Sequence, residues 1–334
     1  MANITSRRDY RIDWIRAICS LTIIFAHVNA PSLLNNIRTF DVVALVFISG
    51  MSLGLSKEKK FRDYIQGRVK KLLVPTYLMI TLIFLLSYTG CKILNINQLY
   101  SLNQIVRSYF LLSDGSMGYV WIVRVYIMVA LLTPLNRRLS DKLESNKDFF
   151  VALLGFLIFG AGLYYLWTII ADPLASTIYK DYLYTTFVYG CISFLGYWLN
   201  KHLHNLHFLT LIAALCFIIC QVIELFMGNG FSPNSAKFPP QLYYCSYGLL
   251  VAIILYHVVP NRSNKIVGWL SSHSFSIYLW HIFMLRLYGV ITKISVFKRF
   301  EKTWLIEFMF VVAGAILLTC IWHRIPQNTS RGKA

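Results

Sequence analysis

Ten apolar stretches of about membrane length restrict this chain to one class of fold. A helix that crosses a bilayer needs about 20 mostly apolar residues, because lipid offers backbone groups no hydrogen-bond partners. Of the 334 residues, 57% are hydrophobic and only 14% are charged. The sequence predicts a single domain over 1–334, an all-α, polytopic transmembrane helical bundle. Its expected spans lie near 12–30, 38–56, 72–89, 118–135, 149–170, 182–199, 206–227, 241–259, 270–291 and 303–323.

The basic residues predict how the bundle is oriented. With the N-terminus inside, 20 of the 32 Lys and Arg residues fall in inner segments and nine in outer segments. Because Lys- and Arg-rich loops stay cytoplasmic, we expect both termini in the cytoplasm. The net charge of +18 is thereby explained by topology, and no nucleic-acid partner is expected. The first 30 residues also imitate a cleavable leader, but Pro31 directly after Ala30 argues against cleavage.

The first span carries two ionisable side chains that share one helix face. Arg16 and His27 are 11 residues apart. At about 100° per residue this spacing is about 20° beyond three full turns, and it corresponds to a rise of roughly 16 Å. Asp13, three residues before Arg16, is within reach of the guanidinium. Ionisable groups inside a span normally face the bundle interior and indicate function. The alternative is that Arg16 reaches the interface and His27 is a hydrogen-bonded core residue.

The segment between the second and third spans predicts an anion-binding surface. Residues 57–71 contain seven positive and two negative charges. Contact with anionic lipid accounts for most of these charges. Arg68, seven residues before Pro75 at the mouth of the third span, is the candidate for a phosphate contact.

Polar and aromatic residues in the outer half of the spans indicate a hydrated chamber open to the outside. Aromatic rings suit stacking on a sugar, although Trp and Tyr are common at any membrane interface. The ionisable residues of this group are His27, Asp41, Arg124, Glu224, Arg286 and Glu307, and the aromatic residues nearby are Tyr119, Trp121 and Tyr278.

Two further patterns are expected to carry no chemistry. Residues 50–54 match Gly-x-Ser-x-Gly, but a nucleophile elbow requires a strand-turn-helix that a span cannot provide. Ser49 and Gly50 instead predict close helix packing. The histidines at 202, 204 and 207 lack a neighbouring carboxylate or cysteine, so we expect no metal site.

Five motifs, in order along essentially the whole chain, resemble the acyltransferase-3 family of integral membrane acyltransferases. They are Arg-x10-His from Arg16 to His27, Phe-Ile-Ser-Gly at 47–50, Arg-x-x-Lys-Leu-x-x-Pro at 68–75, Trp121 at the start of the fourth span, and Ser-x-Tyr-Leu-Trp-His at 276–281. The chain departs from the family pattern twice. The usual Asp-Gly-Leu-Arg-Gly reads Asp-Trp-Ile-Arg-Ala at 13–17, and a His-Leu-Trp-type fourth span reads Tyr-Val-Trp at 119–121.

The resemblance implies an enzyme of the bacterial cytoplasmic membrane. Many family members O-acetylate surface polysaccharides, with an acyl-CoA, most often acetyl-CoA, as donor substrate. We expect the same transfer here, to a saccharide or surface-polysaccharide hydroxyl, without a bound cofactor. His27 is the expected general base, and Arg16 acts on the donor. The residues expected to bind donor or acceptor are Asp13, Arg68, Ser49, Trp121, Arg124, Tyr278, His281 and Arg286.

Two other functions remain open from the sequence. A transporter or flippase of a polysaccharide or lipid-linked saccharide would use the intramembrane histidines and carboxylates as a proton relay. The sequence lacks the paired broken helices and matched halves that are common in transporters. A non-catalytic membrane scaffold would leave the Arg16–His27 face unexplained.

Overall fold

The computed structural model describes residues 8–56, 60–93, 95, 97–293, 296–301 and 303–324. These residues form helices joined by short loops and turns, and none of them is in a strand. The α-helices are α1 (Tyr10–Phe25), α2 (Ser32–Ile37), α3 (Asp41–Leu55), α4 (Phe61–Ile93), α5 (Leu102–Tyr109), α6 (Trp121–Leu131), α7 (Thr133–Lys142), α8 (Asn146–Thr168), α9 (Pro173–Ile178), α10 (Thr185–Lys201), α11 (Leu206–Phe226), α12 (Leu242–Val258), α13 (Lys265–Ile291) and α14 (Trp304–Arg324).

The long apolar helices confirm an all-helical, multi-pass membrane protein. Six helical segments are long and apolar enough to cross a bilayer: Ser32–Leu55, Phe61–Ile93, Asn146–Thr168, Leu203–Phe226, Lys265–Ile291 and Trp304–Arg324. Helices α1, α6, α10 and α12 occupy the other four predicted stretches, but they are only 16, 11, 17 and 17 residues long. The count of ten spans and the cytoplasmic termini stay predictions. Residues 1–7, 57–59 and 325–334, whose charges entered the orientation argument, lie outside the described residues.

Helix α3 forms the centre of the bundle. It packs along α10, α1 and α12. In the most apolar stretch of the segment Ser32–Leu55, which ends with α3, 78% of the residues are buried. Two glycines allow α3 and α10 to touch through their backbones. A Cβ atom on Gly50 would lie 2.0 Å from the carbonyl oxygen of Ser193, and one on Gly196 would lie 2.0 Å from that of Phe47. The close packing predicted at Gly50 is therefore confirmed.

The outer helices present apolar surface while α1, α3 and α13 enclose the interior. In the most apolar stretch of α8, and in that of α11, only 11% of the residues are buried, as expected for helices that face lipid. Helix α14 packs on α13, and α13 in turn packs on α1. This arrangement places the polar face of α1 between α3 and α13, where the site described next lies.

Candidate active site

Arg16, in the first half of α1, joins three helices. Its guanidinium donates to the hydroxyl of Ser52 on α3 and to that of Ser271 on α13, each at 3.3 Å. The carboxylate of Asp13 is 3.9 Å from Arg16 but only 2.7 Å from the Arg8 guanidinium. Asp13 also accepts a 2.7 Å hydrogen bond from Ser271. Asp13 therefore positions Arg16 mainly through Ser271.

A cavity of about 630 Å³ opens beside Ser52, and we call it the basic cavity. It lies between the end of α3, the start of α4 and helix α7. Arg68 lines this cavity, as does Tyr64, whose ring is 5.3 Å from the guanidinium. The structure adds cations that the sequence argument did not select. The ionisable residues lining the basic cavity are Arg68, Lys71, Arg137, Arg138, Asp63, Tyr64 and Asp141.

His27 follows α1 rather than lying within it. The helix ends at Phe25, five residues before the end of the predicted span. The amide of His27 still donates to the carbonyl of Ile24 at 3.0 Å, which continues the chain in a tight turn. The segment ends at Pro31, since a proline disfavours helical geometry in the residue before it. The shared-face argument from helix periodicity therefore applies up to Phe25 and not to His27 itself.

The structure brings His27 and His281 together from opposite ends of the sequence. Their rings stack with centroids 5.4 Å apart and planes 21° apart, and the ring of Tyr119 meets His27 edge-on at 4.6 Å. His281 is fully buried, and its Nδ1 contacts the carbonyl oxygen of Tyr278. Since a carbonyl only accepts, Nδ1 carries a proton, and Nε2 is the ring nitrogen left for another partner. That Nε2 has no hydrogen-bond partner among the described residues.

A second cavity, of about 250 Å³, contains His27, and we call it the His27 cavity. Three aromatic residues of its wall were singled out from the sequence: Tyr119, Trp121 and Tyr278. No described residue lines both cavities. Ile23, about two turns after Arg16, lines the His27 cavity, whereas Arg16 contacts Ser52 of the basic cavity. The cavities therefore lie toward opposite ends of α1.

One wall of the His27 cavity is charged, which the sequence argument missed. Asp41 is fully buried, and its carboxylate lies 2.9 Å from the Arg38 guanidinium and 3.7 Å from the Lys237 ammonium. Burial lowers the pKa of Lys237, and the Asp41 carboxylate acts in the opposite direction. Asp41 was noted as an ionisable residue of a span, but Arg38 and Lys237 were counted only as loop charges. Arg38 is three residues before Asp41, a spacing that is visible in the sequence. No local pattern marks Lys237, because the turn Pro233–Lys237 reaches Asp41 only through tertiary packing.

Five of the eight expected binding residues line neither cavity: Asp13, Ser49, Arg124, His281 and Arg286. Arg124 pairs with Asp181 at 2.9 Å in a buried contact. Arg286 donates to the carbonyl of Ser116 at 3.0 Å, and the hydroxyl of Ser49 donates to a carbonyl of its own helix. Arg124 and Arg286 thereby connect neighbouring parts of the bundle, whereas Ser49 bonds only within α3. Within the described part of the chain, no group of three His, Cys, Asp or Glu residues is placed to hold a metal ion.

A family model described as an acyltransferase domain matches residues 9–324. The chain therefore belongs to the acyltransferase-3 family, which confirms the resemblance seen in the sequence motifs. The match runs from the start of α1 to the end of α14, so it includes both cavities. Comparisons with curated proteins and with solved structures found no match.

Proposed function

We propose that this chain is a membrane O-acyltransferase that moves an acyl group, acetyl in the first instance, from cytosolic acyl-CoA to a saccharide hydroxyl. The acceptor is a saccharide or surface-polysaccharide precursor at the outer face of a bacterial cytoplasmic membrane. One observation carries the proposal. Two cavities of different chemistry lie toward opposite ends of α1, one basic and one containing His27 between aromatic walls.

The basic cavity suits the donor. CoA carries several phosphate charges, and Arg side chains bind phosphate through paired hydrogen bonds. Four cations and two carboxylates line this cavity, so its charge favours an anion. The pantetheine arm of CoA is long and thin, and in this proposal it passes along α1 from Arg16 toward His27. The nucleotide then remains at the cytoplasmic end.

The His27 cavity suits the acceptor and the reaction. The rings of Tyr119, Trp121 and Tyr278 offer faces on which a sugar stacks. His27 takes the proton of the acceptor hydroxyl while the hydroxyl oxygen attacks the thioester carbonyl. The C–S bond breaks, the ester forms, and the proton passes to the departing thiolate to give free CoA. His281 packs on the ring of His27 and restricts its orientation.

The test compares surface glycans of host cells that lack this protein with cells that express the wild type or a variant. His27→Ala is expected to remove the added acyl groups, because general-base catalysis contributes about 10²- to 10⁴-fold. His257→Ala, at an exposed position on α12, is the matched control and should retain activity. A fully active His27→Ala protein would contradict the assignment of the base.

Purified protein separates the enzyme from a transporter. Acceptor-dependent release of CoA from labelled acetyl-CoA supports the transferase, whereas saccharide movement without CoA release supports a flippase. Arg16→Ala should raise the KM for acyl-CoA, and an unchanged KM would count against its role at the donor.

A further inference from the structure

The charged wall of the His27 cavity contains more positive than negative charge. Arg38, Asp41 and Lys237 are its ionisable side chains besides His27 and the tyrosines, so two cations face one carboxylate. Arg38 already satisfies Asp41 at 2.9 Å, and the amide of Val42 donates to the same carboxylate at 2.7 Å. The Lys237 ammonium is 3.7 Å from Asp41, which is longer than a hydrogen bond. One positive charge is therefore left in excess.

A purely structural role does not account for this second cation. The Lys237 ammonium lies 5.6 to 5.9 Å from the ring centroids of Phe238, Trp121 and Tyr244, which offer cation–π contacts. Only 7% of the residue is exposed, however, and Lys237 shares the single carboxylate of Asp41 with Arg38, so the cluster buries one positive charge that has no counter-ion of its own. A single cation would have been enough to neutralise Asp41. The arrangement suits an additional anion that arrives with a ligand.

We propose that Arg38 and Lys237 bind an anionic group of the acceptor, a carboxylate or a phosphate, next to the hydroxyl that His27 deprotonates. The acceptor is then an acidic saccharide. This inference rests on the proposed function and adds the substrate class. The donor's own phosphates are assigned to the basic cavity, and an acetyl thioester is neutral at its reacting end. A cavity of about 250 Å³ that contains both His27 and Lys237 suits a single sugar unit that carries the charge and the hydroxyl together.

The first experiment locates the acyl group in the surface glycans that differ between cells with and without this protein. We expect it on a sugar unit that bears a carboxylate or a phosphate. An acyl group on a neutral sugar unit would overturn this inference and leave the proposed function standing. No difference in acylation would instead overturn the proposed function.

The second experiment uses purified full-length protein, acetyl-CoA and the non-acylated glycan as acceptor. Lys237→Met should raise the KM for the glycan about 10- to 100-fold, as expected for loss of a hydrogen bond to a charged group. The KM for acetyl-CoA should stay the same, and Lys237→Arg should restore the KM for the glycan. Asp41 keeps Arg38 and Val42 as partners in Lys237→Met, so the fold should persist.

Modified acceptors identify the anion. Reducing the carboxyl groups of the glycan, or removing its phosphates with a phosphatase, should weaken it as a substrate for the wild type. The treatment that raises the KM of the wild type for the glycan identifies the anionic group. The Lys237→Met variant should have the same KM for treated and untreated glycan. The inference fails if neither treatment alters the wild-type KM, or if Lys237→Met changes the KM for treated and untreated glycan equally.

Discussion

Arg124→Met is expected to lower the free energy of unfolding by about 3–5 kcal/mol, because it leaves a carboxylate buried without its partner. Only 3% of the Arg124 side chain and 3% of the Asp181 side chain is exposed. The guanidinium lies 2.9 Å from Asp181 and also donates to the carbonyl of Leu111 at 2.6 Å. After the substitution, Asp181 keeps hydrogen bonds from Ser113 and the Lys180 ammonium at 4.0 Å, but it loses its close cation.

A second substitution tests this reasoning. Asp181→Asn added to Arg124→Met removes the orphaned charge while an amide oxygen still accepts from Ser113, so part of the loss should be recovered. The control is Lys201→Met at the exposed pair with Asp141, whose side chains are 38% and 59% exposed. That change should cost about 0–1 kcal/mol.

The assay is denaturant unfolding of the purified protein in detergent, followed by tryptophan fluorescence and evaluated for all variants under the same conditions. The reasoning is refuted if Arg124→Met costs no more than Lys201→Met, or if the double variant is less stable than Arg124→Met alone. A normally stable Arg124→Met protein with a raised KM for the acceptor would return Arg124 to the binding role that the sequence suggested.

Two further predictions concern packing and the donor. Gly50→Ala should lower the thermal stability, since its Cβ would lie 2.0 Å from the Ser193 carbonyl oxygen, whereas Gly162→Ala, with no atom within 4 Å, should be neutral or stabilising. Equal melting temperatures for the two variants would contradict the close contact. Arg68→Ala should raise the KM for acyl-CoA about 10-fold through loss of a phosphate contact, and Lys70→Ala, exposed and outside the basic cavity, should change it little. Equal effects in steady-state kinetics would mean that general positive charge, not a binding cavity, holds the donor.

The hydropathy pattern was sufficient to predict a helix in each of the ten apolar stretches, but not the short helices α2, α5, α7 and α9. A bilayer tolerates only long apolar helices or closed barrels, so each apolar stretch corresponds to a helix whatever its neighbours are. The motifs from Arg16 to His281 were sufficient to predict the family, because they depend on residue type and spacing alone. The sequence also selected Arg16, which the structure places in the first half of α1 in contact with α3 and α13.

Only the tertiary structure decided which polar groups meet. Arg124 is predicted from the sequence to bind substrate, and only the packing of the chain shows that it pairs with the buried carboxylate of Asp181. Lys237 looked like an ordinary loop charge, yet the turn before α12 places it beside Asp41 and His27. Such pairs join residues far apart in sequence, and their meeting depends on how closely helices approach. That approach is set by small residues such as Gly50 and Gly196, whose effect on geometry depends on the whole bundle and not on a local pattern.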